Sequence, residues 1–130
     1  MAVGRLVPVD LREVWKREEY DLTPWLEKNI SVLEEALNIR LTIERREHKV
    51  GPFEADLYGQ DGMGNRVIIE NQLETTDHNH LGQLMTYFVN LEAKTAIWIT
   101  SDVRYQHRRV VEWLNEVTPN DVAFYLAVVC

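Results

Sequence analysis

Phe53-Glu54-Ala55-Asp56-Leu57-Tyr58, Gly59-Gln60-Asp61-Gly62-Met63-Gly64-Asn65 and Arg66-Val67-Ile68-Ile69-Glu70-Asn71-Gln72-Leu73 make one continuous stretch, residues 53–73, whose reading decides the fold. Its flanks, residues 53–58 and 66–73, read as strands, and its three-glycine middle, residues 59–65, as the loop of a hairpin. The run Val67-Ile68-Ile69 marks a central strand covered on both faces. The same strands carry acids where folding alone prefers apolar or neutral residues. Asp56 lies inside the first, and Glu70 and Gln72, two apart on the second, share a face. If Tyr58 pairs with Arg66, Asp56 faces Ile68 and lies diagonal to Glu70 at roughly 7 to 8 Å, a gap a bound cation can bridge. A one-residue change of register would separate the two acids.

On the N-terminal side, residues 11–20 form a weakly helical patch, and Thr23-Pro24 supplies a cap followed by proline at the first helical position. Leu26, Ile30, Leu33 and Leu37 then recur at three- and four-residue spacing, which predicts one helix over residues 25–39. From Arg40 the period becomes two, with Leu41 and Ile43 alternating with Thr42 and Glu44 as in a strand with one wet face. On the C-terminal side Thr76-Asp77 caps a helix whose stripe is Leu81, Leu84, Met85, Phe88 and Leu91. A short buried strand at residues 96–99, a helix at 104–117 ending before Pro119, and an apolar strand at 122–129 complete the chain. The order α, β, β, β, α, β, α, β predicts an α/β fold with a mixed central sheet: an antiparallel meander, then strands joined through helices and lying parallel.

The 130 residues suffice for one domain with a real core and are too few for two. Apolar residues at 45% and charged residues at 27% exclude a disordered tail, and no apolar run is long enough to span a membrane. A single cysteine, Cys130, cannot make an internal disulfide, and the N-terminus lacks a signal-peptide layout, which indicates a reducing, cytoplasmic setting. The net charge of −7 argues against holding nucleic acid by bulk electrostatics and leaves room for an enzyme that recruits a divalent metal first. There is no phosphate loop of the Gly-x-x-x-x-Gly-Lys type.

Two carboxylates with an adjacent amide or backbone carbonyl make a hard, oxygen-rich site suited to Mg²⁺ or Mn²⁺. The plainer alternative is that Asp56 and Glu70 end their strands at the wet side of a sheet.

Helix, three-strand meander, helix and strand, with Asp56 followed fourteen residues later by Glu70-Asn71-Gln72, resembles the core and acidic motif of the PD-(D/E)XK, restriction-endonuclease-like nucleases. Gln83-Leu84-Met85-Thr86-Tyr87 is similar to the Gln-x-x-x-Tyr element of their RecB-like branch. Trp15-Lys16-Arg17-Glu18, Asp21-Leu22-Thr23-Pro24-Trp25-Leu26 and Asp77-His78-Asn79-His80-Leu81-Gly82-Gln83 resemble a bacterial branch in which this αβββαβ domain, with an extra helix and strand, often precedes a second domain.

The resemblance implies metal-dependent hydrolysis of DNA, with Asp56, Glu70 and the Asn71 backbone carbonyl as ligands of Mg²⁺ or Mn²⁺. It puts Glu18 in the place of the helix-borne acid, with Glu19 and Glu34 as substitutes. Gln72 occupies the usual lysine position, where an amide can orient water but brings no charge. Gln83 and Tyr87, and nearly His80, share a helix face as candidate substrate contacts, and His78 and His80 stand at the entry to that helix, either as a contact to phosphate or metal or as an ordinary polar helix start. Arg104, His107, Arg108 and Arg109, and separately Arg45, Arg46 and Lys49, form basic clusters able to meet phosphate. Cutting two strands needs two sites, which a homodimer would supply. A catalytically degenerate binding module of the same fold is the main alternative.

Overall fold

The computed structural model describes residues 5–9 and 22–129. The predicted patch at residues 11–20, and with it Trp15, Glu18 and Glu19, lies outside them, as does Cys130. The elements are β1 (Arg5–Val9), α1 (Leu22–Lys28), α2 (Ser31–Leu37), β2 (Leu41–Val50), β3 (Phe53–Asp61), β4 (Arg66–Thr75), α3 (His78–Asn90), β5 (Thr95–Asp102), α4 (Tyr105–Val117) and β6 (Ala123–Val129). They build a six-stranded mixed sheet in the order β1-β6-β5-β4-β3-β2. Strands β2, β3 and β4 are the expected antiparallel meander, and β4, β5 and β6 run parallel because α3 and α4 carry the chain back between them.

Two elements depart from expectation. Strand β1 was not foreseen: five residues containing Pro8 give little periodicity, and the strand forms as a parallel edge partner of β6, the place where a proline without an N–H is tolerated. The single helix expected over residues 25–39 is two short ones, α1 and α2. Asn29 breaks it, its backbone N–H bonding both Trp25 and Leu26 carbonyls while its side-chain Nδ2 donates to the Trp25 carbonyl at 2.9 Å. The apolar stripe survives the break, so Leu26, Leu33 and Leu37 still bury together.

Each sheet face has its own core. Leu26, Leu33 and Leu37 of α1 and α2 pack on Leu57, Val67, Ile69, Ile97 and Ile99. On the other face Leu84 and Tyr87 of α3 and Val111 and Leu114 of α4 pack on Ile68, Ala96, Trp98 and Phe124. Strands β4 and β5 are thus apolar on both sides, the physical reason that Val67-Ile68-Ile69 and Ala96-Ile97-Trp98-Ile99 show no alternation. Trp98 is fully buried, Trp25 packs partly buried on the first core, and Trp113 stays exposed. No helix among the described residues is long and apolar enough to cross a membrane.

The hairpin is longer, and its turn tighter, than expected. Gly59, Gln60 and Asp61 belong to β3, Gln60 pairs with Arg66, and Tyr58 pairs with Ile68 instead of Arg66. Asp61 closes the turn, its Oδ1 accepting the N–H groups of Met63 and Asn65, each at 2.9 Å, while Gly64 takes φ 83°. Gly59 is required for another reason: a Cβ there would lie 2.1 Å from the Thr42 carbonyl oxygen, beside the bulge between Ile43 and Arg45 of β2. Gly59→Ala is expected to cost about 1–3 kcal/mol through overpacking of β2 against β3, seen as a lower urea midpoint with an unchanged m-value. An unaltered midpoint would mean that the contact relaxes freely.

Candidate active site

From Gln60 and Arg66 to Leu57 and Ile69, β3 and β4 run as a regular antiparallel pair. Carried one step further, that register sets Asp56 against Glu70, and there the ladder stops. The Asp56 N–H donates to Glu70 Oε2 at 2.8 Å, and the Asn71 N–H donates to Asp56 Oδ2 at 2.8 Å. Each carboxylate stands in for a main-chain carbonyl. Beyond this point β3 continues along β2 and β4 along β5. The strands part, and side-chain alternation slips with them: Leu57 belongs to one core and Ala55, two residues away, to the other. The diagonal arrangement expected for Asp56 and Glu70 is therefore corrected to a direct opposition, because the tighter turn moves the register by two residues and keeps every side chain on its face.

Glu70 is buried on the α3 side of the sheet, and its pKa is pushed up to about 8, first by desolvation and then by the charge of Asp56, against the pull of the Asp56 N–H. Tyr87 of α3, also buried, reports the same field. Burial raises its phenol pKa first, and the charges of Glu70 and Asp56 raise it further. The site is thus a negative, water-poor opening between diverging strands, roofed by α3.

Gln72 shares the Glu70 face, but its amide is already committed. Its Nε2 donates to the Thr75 carbonyl at 2.8 Å and to Asp77 Oδ2 at 3.0 Å, and its Oε1 accepts from Trp98 Nε1 at 3.0 Å. Both amide hydrogens are used within the protein. Asp77 in turn caps α3, its Oδ1 accepting the His80 N–H at 2.7 Å and meeting His80 Nδ1 at 2.8 Å. Although burial opposes it, these bonds from His80 and Gln72 hold the Asp77 carboxyl below its usual range.

The other candidates separate by position. Asn71 turns to the opposite face, where its Nδ2 donates to Thr23 Oγ1 of α1, and its Oδ1 is buried with no hydrogen-bond partner among the described residues. Glu34 is occupied elsewhere, accepting the Leu41 N–H at 2.9 Å and fastening α2 to β2. Gln83 and Tyr87 line a cleft of about 250 Å³ along α3 together with His78, Asn79, Gly82 and Thr86. The His80 ring is drawn instead to Asp77 and is not among the residues lining that cleft. No three His, Cys, Asp or Glu side chains gather around one point among the described residues, and Glu18 lies outside them.

The basic clusters dissolve into separate roles. Arg104 Nε donates to the Thr76 carbonyl at 3.2 Å, Arg108 lies 3.5 Å from Glu112, and Arg109 sits over the Tyr105 ring. The side chains of Arg45 and Arg46 lie outside the described ones. His107, grouped with these arginines on sequence, is buried: its spacing to Val111 and Leu114, visible in the sequence, puts it on the apolar stripe of α4. Thr76, whose place before α3 suggests only a cap, is fully buried against His107.

No family model and no curated protein matches the sequence. The fold is similar to solved structures. One is a repair endonuclease from Pyrococcus abyssi, with a TM-score of 0.65 and 18% identity over 86% of this chain and 47% of that one. Another is the EndoMS-dsDNA2 complex, with a TM-score of 0.65 and 18% identity over 84% of this chain and 44% of that one. EndoMS in its apo form matches with a TM-score of 0.60 and 19% identity over 85% of this chain and 46% of that one. The chain spans about half the length of these structures, and at such identities what they share with it is the fold.

Glu70 allows a direct check. Its pKa in the fold, about 8, exceeds the ordinary 4.5 of a glutamate, so between these values the folded state holds a proton that the unfolded state has released. The associated stability is complete below the lower value and is lost as pH rises through the upper one. The thermal unfolding temperature of the native protein should therefore fall between about pH 5 and pH 9 more steeply than that of Glu70→Gln, which keeps an acceptor for the Asp56 N–H and does not titrate. Parallel slopes would mean that Glu70 is ionised throughout.

Proposed function

We propose that this chain is a PD-(D/E)XK-type, RecB-like nuclease domain that hydrolyses DNA phosphodiester bonds with Mg²⁺ or Mn²⁺. The observation that carries this reading is the opposition of Asp56 and Glu70 where β3 and β4 part. The fold it shares with repair endonucleases supports it, one of the neighbours being an EndoMS-dsDNA2 complex.

The donor chemistry fits a hard divalent cation. Two carboxylates stand together in a poorly solvated opening, one of them held protonated by burial and by its neighbour's charge, a conflict that a dication relieves. Asp56 and Glu70 would hold it, with the Asn71 backbone carbonyl as third ligand and Glu18 completing the acid set. When bound, such a cation supplies Lewis-acid polarisation of the phosphodiester and lowers the pKa of water. The chain's own residues do the positioning. The paired backbone N–H bonds lock both carboxylates, and Tyr87 keeps bulk water from Glu70. Gln83 and Tyr87 form a wall for the substrate strand. Gln72, with its amide engaged by Thr75, Asp77 and Trp98, acts as a positioning residue that ties the acid-bearing strand to β5 and to the start of α3.

That engagement also favours one second reading, a catalytically degenerate module that binds DNA without cutting it. No charged group stands at position 72 to stabilise the developing negative charge. A second copy of the chain, or a following domain, would complete the assembly needed to cut both strands.

The test is cleavage of labelled single-stranded, duplex and branched DNA in Mn²⁺ and Mg²⁺, beside Asp56→Asn and Glu70→Gln. The native protein should cleave and each variant should lose at least about 100-fold, equivalent to about 2.7 kcal/mol of barrier. Mn²⁺ should also raise the melting temperature of the native protein and leave both variants unmoved. Equal cleavage by all three proteins would refute the site, and DNA binding without cleavage would select the degenerate module.

A further inference from the structure

Behind the α3 cleft runs a chain of hydrogen bonds that the acid pair does not use. The Arg104 N–H donates to Thr76 Oγ1 at 2.9 Å, and that hydroxyl lies 2.7 Å from His107 Nδ1. His107 Nε2 lies 2.8 Å from His78 Nδ1, and His78 stands exposed at the wall of the cleft. Thr76 and His107 are both buried, the latter edge-on to Trp98 with ring centroids 5.8 Å apart.

The direction of every proton in this chain follows from its buried end. Thr76 is fully buried, and among the described residues His107 Nδ1 is the one acceptor in reach of its hydroxyl hydrogen; a buried hydrogen is costly to leave unpaired, so it goes there and that nitrogen is bare. Desolvation, and after it the neighbouring His78 and Arg104, lowers the His107 pKa, so the ring is neutral and keeps its one proton on Nε2. That proton is donated to His78 Nδ1. With Nδ1 accepting that bond, the His78 hydrogen sits on Nε2, the ring nitrogen not bonded to His107. An isolated surface histidine divides between its two tautomers, whereas here the second ring selects one.

We propose that His78 is a phosphate-contacting residue of the α3 cleft, donating its Nε2–H to a non-bridging oxygen of a nucleic-acid backbone, with Thr76 and His107 as the positioning residues that set its tautomer. The amides of Asn79 and Gln83 line the same cleft and add neutral donors, which suits a phosphodiester approaching a protein of net charge −7. The inference rests on the nuclease reading for its ligand and on the relay for its geometry, and the two fail separately.

Imidazole ¹⁵N spectra of the native protein should show His78 as the Nε2–H tautomer, and its signals should move on titration with inorganic phosphate. Thr76→Val, which keeps the side-chain shape and removes the hydroxyl, should release His78 into a tautomer mixture. For function, a fluorescent oligonucleotide is bound in Ca²⁺ and cleaved in Mn²⁺. His78→Ala should weaken binding and raise KM about 10-fold, as expected for loss of one hydrogen bond to a charged group, with a much smaller change in kcat. His78→Gln, whose Nε2 reaches the same place, should restore most of the loss. An Nδ1–H tautomer in the native protein, or native-like binding by His78→Ala, overturns the proposal while leaving cleavage by the native protein intact. Should the native protein neither bind nor cut DNA, the nuclease reading fails, and the phosphate titration still decides: shifted His78 signals uphold the subsite and unmoved ones reject it.

Discussion

The exchange of two main-chain acceptors for two carboxylates, at Asp56 and Glu70, is the constraint on which the rest of the molecule depends. A sheet whose central hairpin must open has to satisfy the N–H groups it exposes, and a buried unpaired N–H costs about as much as a hydrogen bond to leave unmade. Aspartate and glutamate satisfy them at the point of divergence and bring charge into the gap. One arrangement thereby ends the β3–β4 ladder, lets each strand follow a different neighbour, and concentrates negative potential where solvent is scarce. Loss of either acid would remove an acceptor that holds the opening in shape.

Helix α3 depends on a second polar cluster laid under its first turn. Gln72 connects Trp98 of β5 to the Asp77 cap, Asp77 holds His80, and Thr76 connects the start of α4 to His107 and His78. Of these, Gln72, Trp98, Thr76 and His107 are buried between apolar layers, where each bond is strengthened by the low dielectric and each unmade bond is costly. The helix that covers the acid pair is therefore fixed at its N-terminus by directional bonds and along its length by Leu84 and Tyr87. Packing alone would let it slide; the polar cluster sets its register over the site.

Much of this was legible from residues 53–91. The uninterrupted Val67-Ile68-Ile69 run placed β4 at the centre of the sheet, the stripe from Leu81 to Leu91 located α3, and the glycine-rich turn located the hairpin. Glu70 and Gln72 stood out because they follow a fully apolar run on a strand buried from both sides. Two departures share one cause, side chains that bond to the backbone in ways no periodicity records, and the third is a strand made by its partner. Asn29 breaks a stripe that reads as continuous, Asp61 shortens the hairpin turn and so moves the register by two, and Pro8 hides an edge strand that forms only because β6 is there to pair with it.

What the sequence determined by itself is the set of faces: which residues of β4 and α3 point inward together, and that acids and an amide interrupt an otherwise apolar strand. Those follow from periods of 2 and 3.6, which are properties of a local backbone. Only the tertiary structure decided that Asp56 opposes Glu70, that the Gln72 amide is saturated, and that His107 lies buried between Thr76 and His78. Apart from the Gln72 bonds to Thr75 and Asp77, these depend on register and on partners more than ten residues away in the chain, and the partners of a buried polar atom are chosen by the packing around it, since that packing excludes the water that would otherwise serve.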